Sequence, residues 1–213
     1  LSDTLSLHDA LPIFAQEGME GEERTLLLEL KLLADVGLLG FPNAGKSTFI
    51  SRVSAARPKI ADYPFTTLVP HLGVVKYKDA PSFVVADIPG LIAGASAGLG
   101  MGISFLRHVE RTALLVHLID IAEETRTDAW KNFTAISKEL AGFNPQLLEK
   151  PQIVCLNKID LPFVREKLKK TVAQFSKKGI MLHPFSAATG EGVQEILQKI
   201  VTVLNQAKND DHE

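Results

Sequence analysis

Apolar residues along this 213-residue chain come in short, nearly unbroken runs separated by longer amphipathic stretches. Runs such as 113–119 (ALLVHLI) and 152–157 (QIVCLN) are too short for buried helices and too continuously apolar for strands with one wet face, so they read as strands covered on both sides. The same pattern places strands at 34–41, 73–78, 82–87 and 180–185. Helical periodicity falls at 45–56, 102–111, 125–142, 163–177 and 192–206. Such alternation predicts an α/β fold with a mostly parallel six-stranded sheet and helices on both faces. Gly37 inside the first strand and Pro184 near the end of the last are compatible with this if they mark a close approach and a strand terminus. Residues 26–33 (LLLELKLL) read as an extended lead-in.

Composition narrows the picture. With 46% apolar and 23% charged residues the chain can bury one sizeable core, so a single domain is expected. A formal net charge of -2 gives no global pull toward nucleic acid or anionic membrane, and any such partner has to be met by a local patch or by parts of the protein beyond this chain. The lone Cys155 excludes an internal disulfide. There is no apolar run of about 18 residues and no basic leader before an apolar stretch, which predicts a soluble, cytoplasmic protein without a membrane partner; a monomer is expected. The first 14 residues, LSDTLSLHDALPIF, fit nothing that follows and resemble a translated sequencing-adapter read. Residues 1–24 are therefore expected to be a non-native leader with a linker remnant, 25–206 the folded domain, and 207–213 a disordered polar tail.

The chemistry begins at Gly40-Phe41-Pro42-Asn43-Ala44-Gly45-Lys46-Ser47, between a strand and a helix. A phosphate chain needs many donors close together with no side chain in the way, and the pattern GxxxxGK[ST] supplies them from a curled backbone. Gly40 and Gly45 permit the curl, Lys46 reaches the β and γ phosphates, and Ser47 offers its hydroxyl to Mg²⁺. Asp87-Ile88-Pro89-Gly90 closes another apolar strand, where an aspartate can support Mg²⁺ through water and a glycine N–H can meet the γ phosphate. Asn157-Lys158-Ile159-Asp160 closes a third. A carboxylate at Asp160 accepts from the two adjacent donors on the guanine edge; adenine would leave it unpaired, a mismatch that discriminates by about 10⁴ or more. Ser186-Ala187-Ala188 follows the last strand as a base-contacting backbone turn. Together these motifs point to GTP and GDP.

On these residues the chain resembles the Obg (CgtA) family of the translation-factor-related P-loop GTPases. The resemblance spans about residues 20–206, through LELKLLADVGLLGFPNAGKSTFI, ADYPFTTLVPHLGVV, DIPGLIAGASAGLGMGISFLRHVERT, NKID and SAATGEG. It implies an isolated G domain that hydrolyses GTP as a switch in large ribosomal subunit assembly and in stress responses; the family's glycine-rich N-terminal and variable C-terminal domains have no counterpart here. By position, Phe65-Thr66-Thr67-Leu68-Val69 would be the first switch, with Thr67 on Mg²⁺ beside Ser47. Thr66 is nearly as good a candidate. The second switch would run from Asp87 through the glycine-rich 94–102. Leu91 stands where a glutamine would orient water in Ras-like enzymes, so slow intrinsic turnover is expected. No arginine finger is evident, since Arg107 and Arg111 read as helix residues facing solvent or a partner. Asn43 matches the asparagine that binds potassium in some related GTPases, and K⁺ beside the phosphates could supply the missing positive charge; an Asn43 that merely stabilises the loop is the equal alternative. The catalytic set is thus Lys46, Thr67 and Asn43. Two other readings use the same loop: a P-loop ATPase or kinase, and a nucleotide-gated binding module with negligible turnover.

The remaining residues reduce to structure. His71, His108, His117 and His183 lack metal-ligand spacing, and His117 reads as core or surface. Cys155 reads as a small buried hydrophobe, the lysines of 167–178 as a solvated helix face, and Trp130 as an isolated helix residue without a stacking partner.

Overall fold

The computed structural model describes residues 34–55, 59–60, 71–88, 110, 112–123 and 127–210, with Gly21. Its strands are β1 (Val36–Leu39), β2 (Lys59–Ile60), β3 (His71–Val75), β4 (Phe83–Asp87), β5 (Leu114–Ile119), β6 (Gln152–Leu156) and β7 (Leu182–Pro184). Its helices are α1 (Lys46–Val53), α2 (Ala129–Phe143), α3 (Pro162–Ser176) and α4 (Val193–Asp210). All six expected strands are present where the hydrophobic runs place them; the two-residue β2 is an addition that no apolar run announces. The last helix continues past 206 to Asp210. The helix expected at 102–111 and the lead-in at 26–33 lie outside the described residues.

The sheet order is β2-β3-β4-β1-β5-β6-β7. β4, β1, β5, β6 and β7 run parallel, while β3 is antiparallel to β4 and β2 to β3. The parallel strands are short and apolar because both their faces are covered. On β5, Leu114, Val116 and Leu118 face a core shared with Phe49 and Ile50 of α1 and Ile196 and Ile200 of α4. Leu115 and Ile119, from the alternate positions, face the other side, with Ile136 and Leu140 of α2 and Val164 and Phe175 of α3. A strand with alternating faces thus serves two cores, the double cover its composition requires.

Gly37 and Pro184 sit as expected: a Cβ on Gly37 would lie 2.7 Å from Ile88 Cδ1, and Pro184 ends β7. Cys155 is fully buried, which pushes its thiol pKa up. His117 is a core residue, its ring 5.0 Å from that of Phe133, with neither nitrogen hydrogen-bonded among the described residues. Burial alone lowers its pKa to about 3, so the fold holds it neutral at ordinary pH. Trp130 corrects the sequence reading: its ring meets Phe133 at 5.5 Å and Phe175 at 5.3 Å, with Lys178 Nζ 5.6 Å from its centroid. It joins α2 to α3.

Candidate functional site

Parallel strands deliver their C-terminal ends to one edge of the sheet. β1, β4, β6 and β7 therefore bring together the segments carrying 40–47, 87–88, 157–160 and 186–188. β1 lies between β4 and β5, where the chain reverses its direction of sheet growth, the position at which open α/β sheets bind ligands.

The phosphate loop closes on itself through Ala44 N–H to the Phe41 carbonyl at 3.2 Å. Gly45, at φ 93, turns the chain into α1 and gives the helix no side-chain cap. The first intrahelical bond is Phe49 N–H to the Gly45 carbonyl, so the amides of Lys46, Ser47 and Thr48 lack helical acceptors. No acidic side chain occupies that first turn. An uncapped helix start with free amides is suited to phosphate oxygens.

Lys46 is buried beneath this loop, its ammonium 2.9 Å from the Gly40 carbonyl oxygen and 3.2 Å from that of Phe41. Burial lowers its pKa and Asp87, 3.9 Å away, raises it. Asp87 ends β4 and accepts from the Ser47 hydroxyl at 3.3 Å through Oδ2. Its other oxygen, Oδ1, is buried without a hydrogen bond among the described residues. Burial raises the Asp87 pKa, and Lys46, Ser47 and His71 oppose the rise. A hydroxyl beside an under-satisfied carboxylate is a hard oxygen set, and these residues fit Mg²⁺. Ile88 is anchored by its N–H to the Leu38 carbonyl at 3.1 Å. Pro89, Gly90 and Leu91 lie outside the described residues, as do Phe65, Thr66, Thr67, Leu68 and Val69.

Asn157 connects the two halves of the site. Its Nδ2 donates to the Ala44 carbonyl at 2.8 Å, while its Oδ1 accepts from Lys158 N–H at 2.8 Å and Ala187 N–H at 2.9 Å. One amide side chain thereby fixes the phosphate loop against the turn after β7. Lys158 adopts φ 66, Ile159 is buried, and Asp160 emerges exposed beyond them. In the turn, the Ser186 N–H donates to the Glu191 carbonyl and that of Thr189 to Ser186 Oγ. Gly190 N–H reaches the Ser186 carbonyl, and Ala187 N–H reaches Asn157. The exposed Ala188 N–H is the amide of this turn left open among the described residues.

Several supports escaped the motif reading. Asp120, at the end of β5, holds Lys158 Nζ at 2.6 Å and accepts from Ala122 N–H at 2.8 Å, while Asn132 Nδ2 donates to its carbonyl at 2.8 Å. Arg165 braces the other side through Nε to the Ile159 carbonyl at 3.0 Å and an ion pair with Glu191 at 2.5 Å. Glu123 accepts from Asn43 Nδ2 at 3.4 Å. A strand-ending aspartate after ALLVHLI was a signal available for Asp120; the others join segments too far apart for any spacing to show.

A cavity of about 870 Å³ lies away from this edge, with Leu148, Met181, His183 and Lys199 in its wall. His183 there is half-buried, and burial together with Lys199 lowers its pKa. Among the described residues no group of three or more His, Cys, Asp or Glu could hold a metal ion, and no helix is long and apolar enough to cross a membrane.

A glycine-turned helix start with Lys46 beneath it, the Ser47–Asp87 pair and an Asn-Lys-Ile-Asp loop on one sheet edge are the features of a P-loop nucleotide-binding domain of the guanine class. The family model for "50S ribosome-binding GTPase" matches residues 35–158. GTPase Obg of Syntrophus aciditrophicus is 63% identical over 198 residues, covering 92% of this chain and 58% of that protein. GTPase Obg of Myxococcus xanthus is 58% identical over 194 residues, covering 91% and 40%. The structure of Era with MgGDPNP and nucleotides of 16S ribosomal RNA matches with TM-score 0.57 and 26% identity over 79% of this chain and 55% of that one. The G domain of the T. maritima FeoB iron transporter shares the fold, with TM-score 0.57 and 22% identity over 79% of this chain and 96% of that one. The chain belongs to the 50S ribosome-binding GTPases, in their Obg family. It spans about half the length of the curated relatives it matches.

Proposed function

We propose that residues 25–206 form one G domain that binds GTP and GDP with Mg²⁺ and hydrolyses the γ phosphate with water, acting as a cytoplasmic GTP/GDP switch. The observation that supports this reading is Asn157 joining the Ala44 carbonyl to the Ala187 amide, because it ties the Asn157–Asp160 loop to the loop at 40–47. In the proposal, the α1 amides and Lys46 hold the β and γ phosphates and stabilise charge as the bond to the leaving phosphate breaks. Ser47 and Thr67 are the metal ligands and Asp87 supports them; Mg²⁺, when bound, neutralises charge shared by the β and γ oxygens. Asp160 accepts from guanine N1–H and the 2-amino group, and Ala188 N–H donates to O6. The switches are 65–69 and the segment from Asp87 to 102. The large ribosomal subunit is the partner of the whole protein, supported by the family description.

A competition series in Mg²⁺ tests the base reading: GTP and GDP are expected to bind at least about 10⁴-fold more tightly than ATP and ADP, the scale set by leaving Asp160 unpaired. Comparable affinity for ATP would favour the ATPase or kinase reading instead.

Asn43 gives the proposal its second element. It stands exposed at φ 62, with Nδ2 turned to Glu123 and Oδ1 without a hydrogen bond among the described residues. We assign that oxygen to a K⁺ ion beside the phosphates, supplying charge that no arginine among the described residues supplies. GTP hydrolysis should then run faster in K⁺ than in Na⁺ at equal ionic strength, and equal rates would remove Asn43 from the catalytic set.

A further inference from the structure

Arg52 stands in the last turn of α1, the helix that opens at the phosphate loop, and belongs to none of the motifs. Its guanidinium crosses to the turn after β7, where Nε donates to the Ala187 carbonyl and Nη2 to the Ala188 carbonyl. The turn closes around it: a Cβ on Gly190 would lie 3.1 Å from Arg52 Nη1. Two main-chain carbonyls, and no carboxylate among the described residues, receive this cation.

The consequence follows from peptide geometry. In a trans peptide the carbonyl of one residue and the N–H of the next point to opposite sides of one rigid plane, and the described backbone contains no cis bond. Holding the Ala187 carbonyl from the α1 side therefore sets the direction of the Ala188 N–H, the amide left open in the turn. A cationic donor on the carbonyl also polarises that peptide and makes its N–H a stronger donor. The preceding peptide is fixed separately, by Ala187 N–H to Asn157 Oδ1 at 2.9 Å. Successive planes of the turn are thus pinned from different elements, one by the base motif and one by the phosphate helix.

We infer that Arg52 is a positioning residue for base recognition: it aims and strengthens the Ala188 N–H as the donor to guanine O6, while Asp160 reads the neighbouring N1–H and amino group. This deepens the guanine assignment above and rests on it. Because O6 and the amino edge are read by different groups, the contribution of Arg52 separates from that of Asp160. Inosine keeps O6 and lacks the amino group; adenine has no O6.

The variant Arg52→Met keeps most of the stem and loses every donor. Affinities for GDP, IDP and ADP are measured by competition against a fluorescent GDP, alongside thermal unfolding. GDP and IDP are expected to weaken by about tenfold each, the scale of one strengthened hydrogen bond, with their ratio and the ADP affinity unchanged. Arg52→Lys, with one ammonium for two carbonyls, should recover part of the loss for GDP and IDP. An equal loss for all three nucleotides would make Arg52 a general brace and overturn the inference, as would an unchanged GDP affinity. A wild-type chain without preference for GDP over ADP would fail earlier, by overturning the guanine assignment itself.

Discussion

Replacing Lys46 by alanine is expected to weaken GTP and GDP binding by at least about a hundredfold while leaving the fold standing. The two effects separate because the lysine is costly to the native state and valuable to the ligand. Its ammonium is buried, and burial pulls its pKa down, so the fold pays a desolvation penalty that Asp87 at 3.9 Å only partly offsets. Alanine relieves that penalty and forfeits hydrogen bonds to the Gly40 and Phe41 carbonyls. These changes oppose each other, but Asp87 also loses the cation that opposes its raised pKa, so the unfolding free energy is expected to fall by about 1–3 kcal/mol. A phosphate oxygen, by contrast, loses a charge-assisted partner, worth about 3 kcal/mol. Isothermal titration with GDP and a urea melt check both halves, and retained GDP affinity would undo the phosphate-loop assignment.

Gly45→Ala is expected to damage stability and binding together. A Cβ there would lie 2.2 Å from Asn157 Nδ2, and the backbone sits at φ 93, which an alanine adopts only with strain. Relief requires Asn157 to withdraw from the Ala44 carbonyl, and the same side chain holds Ala187 N–H. Backbone strain of about 1–2 kcal/mol and a lost buried hydrogen bond of about 1–3 kcal/mol give a destabilisation of several kcal/mol. Nucleotide affinity should fall by at least about tenfold, since phosphate loop and base turn lose their common anchor. Gly142 in α2 is the control: a Cβ there meets nothing within 4 Å, and Gly142→Ala should be neutral or slightly stabilising. If a denaturant melt finds the two variants equally stable, the close approach at Gly45 is not what holds the site together.

The strand assignments were legible because burial on both faces leaves a mark that needs no partner to be read: ALLVHLI is apolar at every position but one. The exception, His117, is itself buried against Phe133. The two-residue β2 escaped because an antiparallel edge pairing at Lys59–Ile60 leaves no periodicity in the residues that make it. Trp130 is a different kind of miss. Phe133 lies one helical turn away, a spacing that announces contact, whereas Phe175 comes from α3 and could only be found in three dimensions.

The site divides in the same way. By itself the sequence determined the chemical inventory: a glycine turn into a helix, a lysine and a hydroxyl beside it, strand-ending carboxylates, and an Asn-Lys-x-Asp run suited to guanine. Those are local properties, set by residue type and by which backbone angles glycine allows. Only the tertiary structure decided that Asn157 spans from Ala44 to Ala187, that Asp120 receives Lys158, and that Arg52 grips the turn after β7. The reason is physical: parallel strands put all their C-terminal ends on one edge, and which ends become neighbours depends on the order of strands in the sheet. No spacing along the chain encodes that order.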